Sequence, residues 1–157
     1  MAVCGSGGAA PAELSAAEAV GRELAARGAV VVCGGRGGVM ESACRGAKSA
    51  GGTTLGILPG DDRSDANEFV DVAVATGLGE ARNALVVRAA DAVIAVGGEW
   101  GTLSEIALAL RAGKRVVGLR TWELPSKGGR GVVAAASPVE AVELALGGQP
   151  STPVNGV

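Results

Sequence analysis

Residues 93–105, Val-Ile-Ala-Val-Gly-Gly-Glu-Trp-Gly-Thr-Leu-Ser-Glu, constrain this chain more than any other stretch. The continuous apolar run Val93, Ile94, Ala95, Val96 fits a strand covered on both faces, the environment of a parallel sheet. Gly97 and Gly98 can adopt a positive φ and admit another group close to the backbone. A helix is predicted from Thr102, with Glu105 at the spacing of a capping box. The first amides of such a helix lack intrahelical partners and lie at the positive end of its dipole. A strand, glycine turn and helix start of this kind suit a phosphate or another anion.

The same rhythm runs through the rest of the chain. Short apolar runs at 1–4, 29–33, 53–58, 70–75, 91–96, 115–119 and 132–136 predict strands. Helical spacing predicts helices at 11–27, 39–50, 79–90 and 102–112. A last helix is predicted from Pro138, capped by Ser137 and Glu140 and ended by Gly147. The acidic segment 61–68 is expected to be a loop bordering a site. Strands alternating with helices give an α/β, Rossmann-like, doubly wound and mainly parallel sheet with helices on both faces. One domain is expected over residues 1–147, followed by a disordered tail over 148–157.

Ligands of such sheets bind beyond the carboxyl ends of the strands. Three glycine turns fall at predicted strand ends: 5–8, 34–38 and 97–101. Converging on one edge, they favour a nucleotide-sized, phosphate-bearing ligand; taken singly, each also reads as a tight strand-to-helix turn. No Gly-x-x-x-x-Gly-Lys-Ser/Thr loop is present, which argues against a P-loop NTPase. The dinucleotide pattern Gly-x-Gly-x-x-Gly fails at Ala10, and no ribose-binding acid follows Cys33.

Composition removes other chemistries. Histidine is absent, which excludes Ser-His-Asp and Cys-His catalysis and imidazole metal ligation. Tyrosine is absent as well, so no phenol can act as an acid. A net charge of -2 without a basic run argues against nucleic acid as partner. Cys4, Cys33 and Cys44 read as reduced thiols in a cytoplasmic protein, the first two as small core residues. No signal-like or membrane-length apolar run is found. Neither a metal nor a resident cofactor is expected.

Two charges fall on apolar stripes. Arg82 is followed at +3, +4 and +7 by Leu85, Val86 and Ala89, and Glu105 by Leu108, Ala109 and Ala112. A buried arginine needs a partner. It can serve a ligand at the strand edge or pair with Glu80 or Asp91. Glu105 can act on a ligand, cap Thr102, or do both.

These features together resemble the Lonely Guy-type family of the SLOG superfamily, whose members are often mislabelled as lysine decarboxylases. The resemblance runs from Met1 to about Leu146. It rests on Gly34-Gly35-Arg36-Gly37-Gly38-Val39-Met40, Glu80-Ala81-Arg82-Asn83 and Gly97-Gly98-Glu99-Trp100-Gly101-Thr102-Leu103-Ser104-Glu105. The last is close to the family's Pro-Gly-Gly-x-Gly-Thr-x-x-Glu. The resemblance implies N-glycosidic hydrolysis of a nucleoside 5'-monophosphate to free base and ribose 5-phosphate, with Arg82 and Glu105 matching the catalytic pair. It also implies a ligand site made of Gly5, Ser6, Gly34, Gly35, Gly37, Gly38, Met40, Asn83, Gly97, Gly98, Glu99, Trp100, Gly101 and Thr102.

Three departures from the family pattern bear on activity. Val96 replaces a proline, the Met-His-x-Arg-Lys-like stretch is Glu80-Ala81-Arg82-Asn83, and the first strand starts late. They bring the chain closer to a short bacterial subgroup similar to molybdenum cofactor carrier proteins. The alternative function is therefore a non-catalytic carrier of a phosphorylated heterocycle such as that cofactor's pterin. A decarboxylase fits poorly, because no lysine lies in the expected site. A homodimer or homotetramer is expected, because the helix over 102–112 has little polar surface.

Overall fold

The computed structural model describes residues 1–126 and 128–147; the expected tail, 148–157, lies outside the described residues. The chain folds as β1 (Ala2–Gly5), α1 (Pro11–Ala26), β2 (Val31–Cys33), α2 (Val39–Ser49), β3 (Thr54–Leu58) and β4 (Val72–Ala75). It continues through α3 (Asn83–Arg88), β5 (Ala92–Val96), α4 (Trp100–Arg111), β6 (Arg115–Leu119), β7 (Val132–Ala134) and α5 (Pro138–Ala145). The strands form one sheet in the order β4-β3-β2-β1-β5-β6-β7. Every neighbouring pair is parallel. The chain starts in the middle of the sheet, winds outward to β4, then crosses back and winds outward to β7.

Alternation along the strands sorts the core into two layers. Val3, Ile94, Val96 and Val117 face Val20, Leu24, Val39, Ala43 and Val142 from α1, α2 and α5. On the opposite face Ala2, Cys4, Val93, Ala95 and Val116 meet Val86, Val87, Ile106 and Ala109 from α3 and α4. This is the doubly wound α/β arrangement expected from the alternation of strands and helices. With so few aromatics, close backbone approach replaces bulk. A Cβ on Gly21 would lie 1.9 Å from the Ala43 carbonyl oxygen, and one on Gly46 1.9 Å from that of Glu18.

Two helix starts differ from expectation. The predicted helix over 79–90 begins as a 3-10 turn, Gly79–Arg82, and becomes α-helical only at Asn83. Gly79 has φ +56°, so the segment enters by a tight turn before the ladder settles. The helix predicted from Thr102 begins at Trp100, because Glu99 is extended (φ -112°, ψ -163°) and its carbonyl already accepts the Leu103 N–H at 3.0 Å. Thr102 is therefore inside the helix, and the capping-box reading of Thr102 with Glu105 does not hold. At α5 half of the expected capping box is found: Ser137 Oγ accepts from the Glu140 N–H at 3.2 Å, while the Glu140 carboxylate accepts from the Ala136 N–H at 2.7 Å. No helix among the described residues is long and apolar enough to cross a membrane.

Candidate functional site

The three glycine turns leave β1, β2 and β5, which are adjacent in the sheet, so they meet at one edge. The switch point lies here, where the chain winds to opposite sides from β1, and it is where ligands of such sheets bind. A cavity of about 430 Å³ opens at this edge. Of the expected ligand residues, its wall contains Gly5, Ser6, Gly34, Met40, Asn83, Glu99, Gly101 and Thr102, together with Arg82 and Glu105.

The remaining expected residues stand behind or beside the wall. Gly35 abuts Leu58 and Gly56, and Gly37 lies near Glu41. Gly38 (φ +68°) sits against the backbone of Ser6 and Gly7. A Cβ on Gly97 would strike the Glu13 carboxylate, and one on Gly98 (φ +123°) the Thr102 side chain at 2.6 Å. Those glycines build the turns rather than line the cavity. Trp100 is 76% exposed and turned away onto Trp122.

Seven wall residues were not among those expected: Val3, Cys4, Gly7, Arg36, Pro59, Gly79 and Glu80. Arg36 had a signal, as the one charge inside the second glycine turn. Pro59 and Gly79 are placed by the ends of β3 and the 3-10 turn, which no local pattern reveals.

Leu103 is the first residue of α4 whose amide bonds back to a helix carbonyl, so those of Trp100, Gly101 and Thr102 have no helical partner. Gly101 has open space where a Cβ would be. The amide-rich start of α4 thus borders the cavity, an arrangement that attracts an anion. Ser104 Oγ donates to the Gly101 carbonyl at 2.7 Å and accepts from Asn83 Nδ2 at 3.2 Å, which ties α4 to α3.

Arg82 and Glu105 are both buried on the cavity wall. Their closest charged atoms, Nη1 and Oε1, are 3.9 Å apart. Arg82 also donates to Asn83 Oδ1 and, at 3.5 Å, to the Gly34 carbonyl. Its Nε is buried and has no acceptor. Gly34 leaves room for this side chain, since a Cβ there would lie 2.5 Å from Arg82 Nη2. Burial raises the Glu105 carboxyl to about 7, opposed by Arg82 and by a hydrogen bond from Cys4. The Cys4 thiol is in turn held well above its ordinary range, first by burial and then by Glu105. Cys33 and Cys44 touch at 3.5 Å, and the hydrogen bond between them lowers Cys33. All three cysteines are free and buried. Among the described residues, no cluster of three or more Cys, Asp or Glu side chains could hold a metal ion.

The sequence model of the SLOG cluster4 family matches residues 1–142. The chain belongs to the SLOG cluster4 family. This SLOG protein is 45% identical over 117 residues to an uncharacterized protein of Archaeoglobus fulgidus, covering 69% of this chain and 77% of that one. It superposes on the molybdenum cofactor binding protein from Rippkaea orientalis with a TM-score of 0.82 and 42% identity, over 91% of each chain. The molybdenum cofactor carrier protein of Chlamydomonas reinhardtii gives a TM-score of 0.82 and 38% identity, over 91% of this chain and 93% of that one. The SLOG membership expected from the motif around Gly97 to Glu105 is therefore the one found.

Proposed function

We propose that this SLOG cluster4 protein binds a small phosphorylated heterocycle and carries it without cleaving it, with the pterin of the molybdenum cofactor as the leading candidate. The observation that carries this reading is the free amide end of α4 bordering the cavity at the switch point. Phosphate would take the amides of Trp100, Gly101 and Thr102, with Arg36 at the rim and Arg82 on the wall supplying positive charge. The buried Arg82 Nε, with no protein acceptor, fits an anion nearby. The similarity to two molybdenum cofactor proteins along nine-tenths of the chain favours a carrier over an enzyme.

A second reading, N-glycosidic hydrolysis of a nucleoside 5'-monophosphate, is favoured by Glu105. A carboxyl on the cavity wall with a value of about 7 suits proton transfer near neutral pH. Incubation with a panel of nucleoside monophosphates and phosphorylated pterins, with bound ligand and released base both followed by chromatography, separates the two. Retention of intact ligand supports the carrier, and release of base supports hydrolysis.

We infer a homodimer or homotetramer from α4, whose polar side chains beyond Thr102 are only Ser104, Glu105 and Arg111, and from the exposed Leu85 on the neighbouring α3.

A further inference from the structure

The carboxyl end of β6 carries a group of features that the phosphate site does not use. Arg120 is the one non-glycine residue with a left-handed backbone among those described (φ +56°). Such conformations are disfavoured for a side chain of this size and are held in place by their surroundings. Arg120 and the segment that follows, Thr121, Trp122, Glu123 and Leu124, line a second cavity of about 210 Å³ against β6 and β7. Two buried polar atoms of these lining residues, Thr121 Oγ1 and Trp122 Nε1, have no hydrogen-bond partner. A buried donor without an acceptor destabilises the fold, and each such atom calls for an explanation.

The second cavity lies at the end of β6, the strand beside β5. The Gly97 N–H donates to the Leu119 carbonyl at 3.0 Å, which binds the turn before α4 to the end of β6. Across this joint Trp100 and Trp122 lie with ring centroids 5.5 Å apart and planes tilted by 32°. The chain has only three aromatic residues, two tryptophans and one phenylalanine, so two of the three meet here. Trp100 follows Glu99 and precedes Gly101, both in the wall of the phosphate cavity.

We propose that the Trp100–Trp122 pair and the cavity behind it form the ring-binding half of the ligand site, selective for a planar fused heteroaromatic ring that carries hydrogen-bond acceptors. This rests on the phosphate-ligand reading above and names the part of the ligand that the α4 amides do not read. An indole face stacks on any flat π-system. The indole N–H can only donate, and the Thr121 hydroxyl donates as well, so ring nitrogens or exocyclic carbonyls supply what both atoms lack. Trp100 is exposed on its outer side, so a ring reaching Trp122 displaces only its indole.

The test uses the full chain and three probes: GMP and neopterin triphosphate, which carry a fused aminopyrimidinone ring with phosphate, and ribose 5-phosphate, which has no ring. Titration calorimetry on wild type, Trp100→Ala and Trp122→Phe gives the affinities. Trp100→Ala should weaken GMP and neopterin triphosphate about tenfold, a larger loss than for ribose 5-phosphate. Trp122→Phe keeps a ring face but loses the N–H, and should weaken the same two probes only. Each of Trp100→Phe and Trp122→Phe leaves one tryptophan, whose emission should change on adding GMP. Ring-bearing probes that bind wild type and both variants equally well would overturn the ring site and leave the phosphate reading standing. Failure of all three probes to bind would overturn both. A lower oligomeric mass for Trp100→Ala by light scattering would make the pair a contact between copies and would also overturn it.

Discussion

Glu105 gives the chain a titration that its composition otherwise lacks. There is no histidine, and a buried carboxyl raised to about 7 takes its place. Its folded-state value lies above the ordinary 4.5, so the folded protein holds this proton where the unfolded chain has released it. The associated stabilisation is complete below the unfolded value and is lost as pH rises through the folded one, on the order of 3 kcal/mol across the window. Glu105→Gln keeps the shape and removes the titration. Urea unfolding at pH 5 and pH 8 should show wild type losing stability relative to Glu105→Gln; parallel behaviour would contradict the buried-proton account. Arg82 opposes the rise, so Arg82→Ala should cost less at pH 5, where the carboxyl is neutral, than at pH 8, where a buried charge loses its partner. That Arg82 and Glu105 are buried was legible from charges set in apolar stripes. That they face each other was not: the sequence reading offered Glu80 or Asp91 to Arg82, because helical spacing shows what shares a face but not which element lies opposite.

At the scale of elements, the start of α4 makes the sharpest separation between fold and binding. Gly101 has open space around a would-be Cβ and no left-handed backbone. Gly101→Asp adds a carboxylate to the first turn of a helix, which favours the helix through its dipole. The same charge repels a phosphate on those amides. Melting temperature should stay level or rise, while affinity for a phosphorylated probe falls at least about tenfold. A variant that binds as well as wild type would move the anion away from α4. Ser137→Ala should cost about 1 kcal/mol by loss of the α5 cap, with no change in binding, measured by the same unfolding and titration experiments. The strands were legible to within a residue or two, since buried parallel strands show as unbroken apolar runs. The helix starts were less so. Thr102 and Glu105 have a capping spacing, yet Glu99 takes the cap position through its extended backbone. The 3-10 turn at Gly79–Arg82 left no signature because helical and 3-10 segments share their spacing over one turn.

For the whole molecule, the crossover from β4 back to β5 brings three glycine turns to one edge, and the sequence reading obtained both the sheet class and the convergence from their rhythm alone. Of the glycines it named, only Gly5, Gly34 and Gly101 lie in the cavity wall. Gly35, Gly38, Gly97 and Gly98 are required by close backbone and side-chain approaches inside the turns, and a glycine in sequence does not reveal which purpose it serves. The apolar α4 surface predicts a mass at least twice the 15.2 kDa of one chain in light scattering at micromolar concentration; a monomer would contradict the oligomer inferred from it. The central claim is that this cavity holds a phosphorylated heterocycle and leaves it intact. The most direct measurement is incubation of the protein with GMP and neopterin triphosphate, followed by separation of bound and free ligand and chromatography of both fractions. The account predicts ligand bound in stoichiometric amount and recovered unchanged, with no free base or ribose 5-phosphate. Steady release of base would make the protein a hydrolase instead, and absence of bound ligand would contradict the site itself.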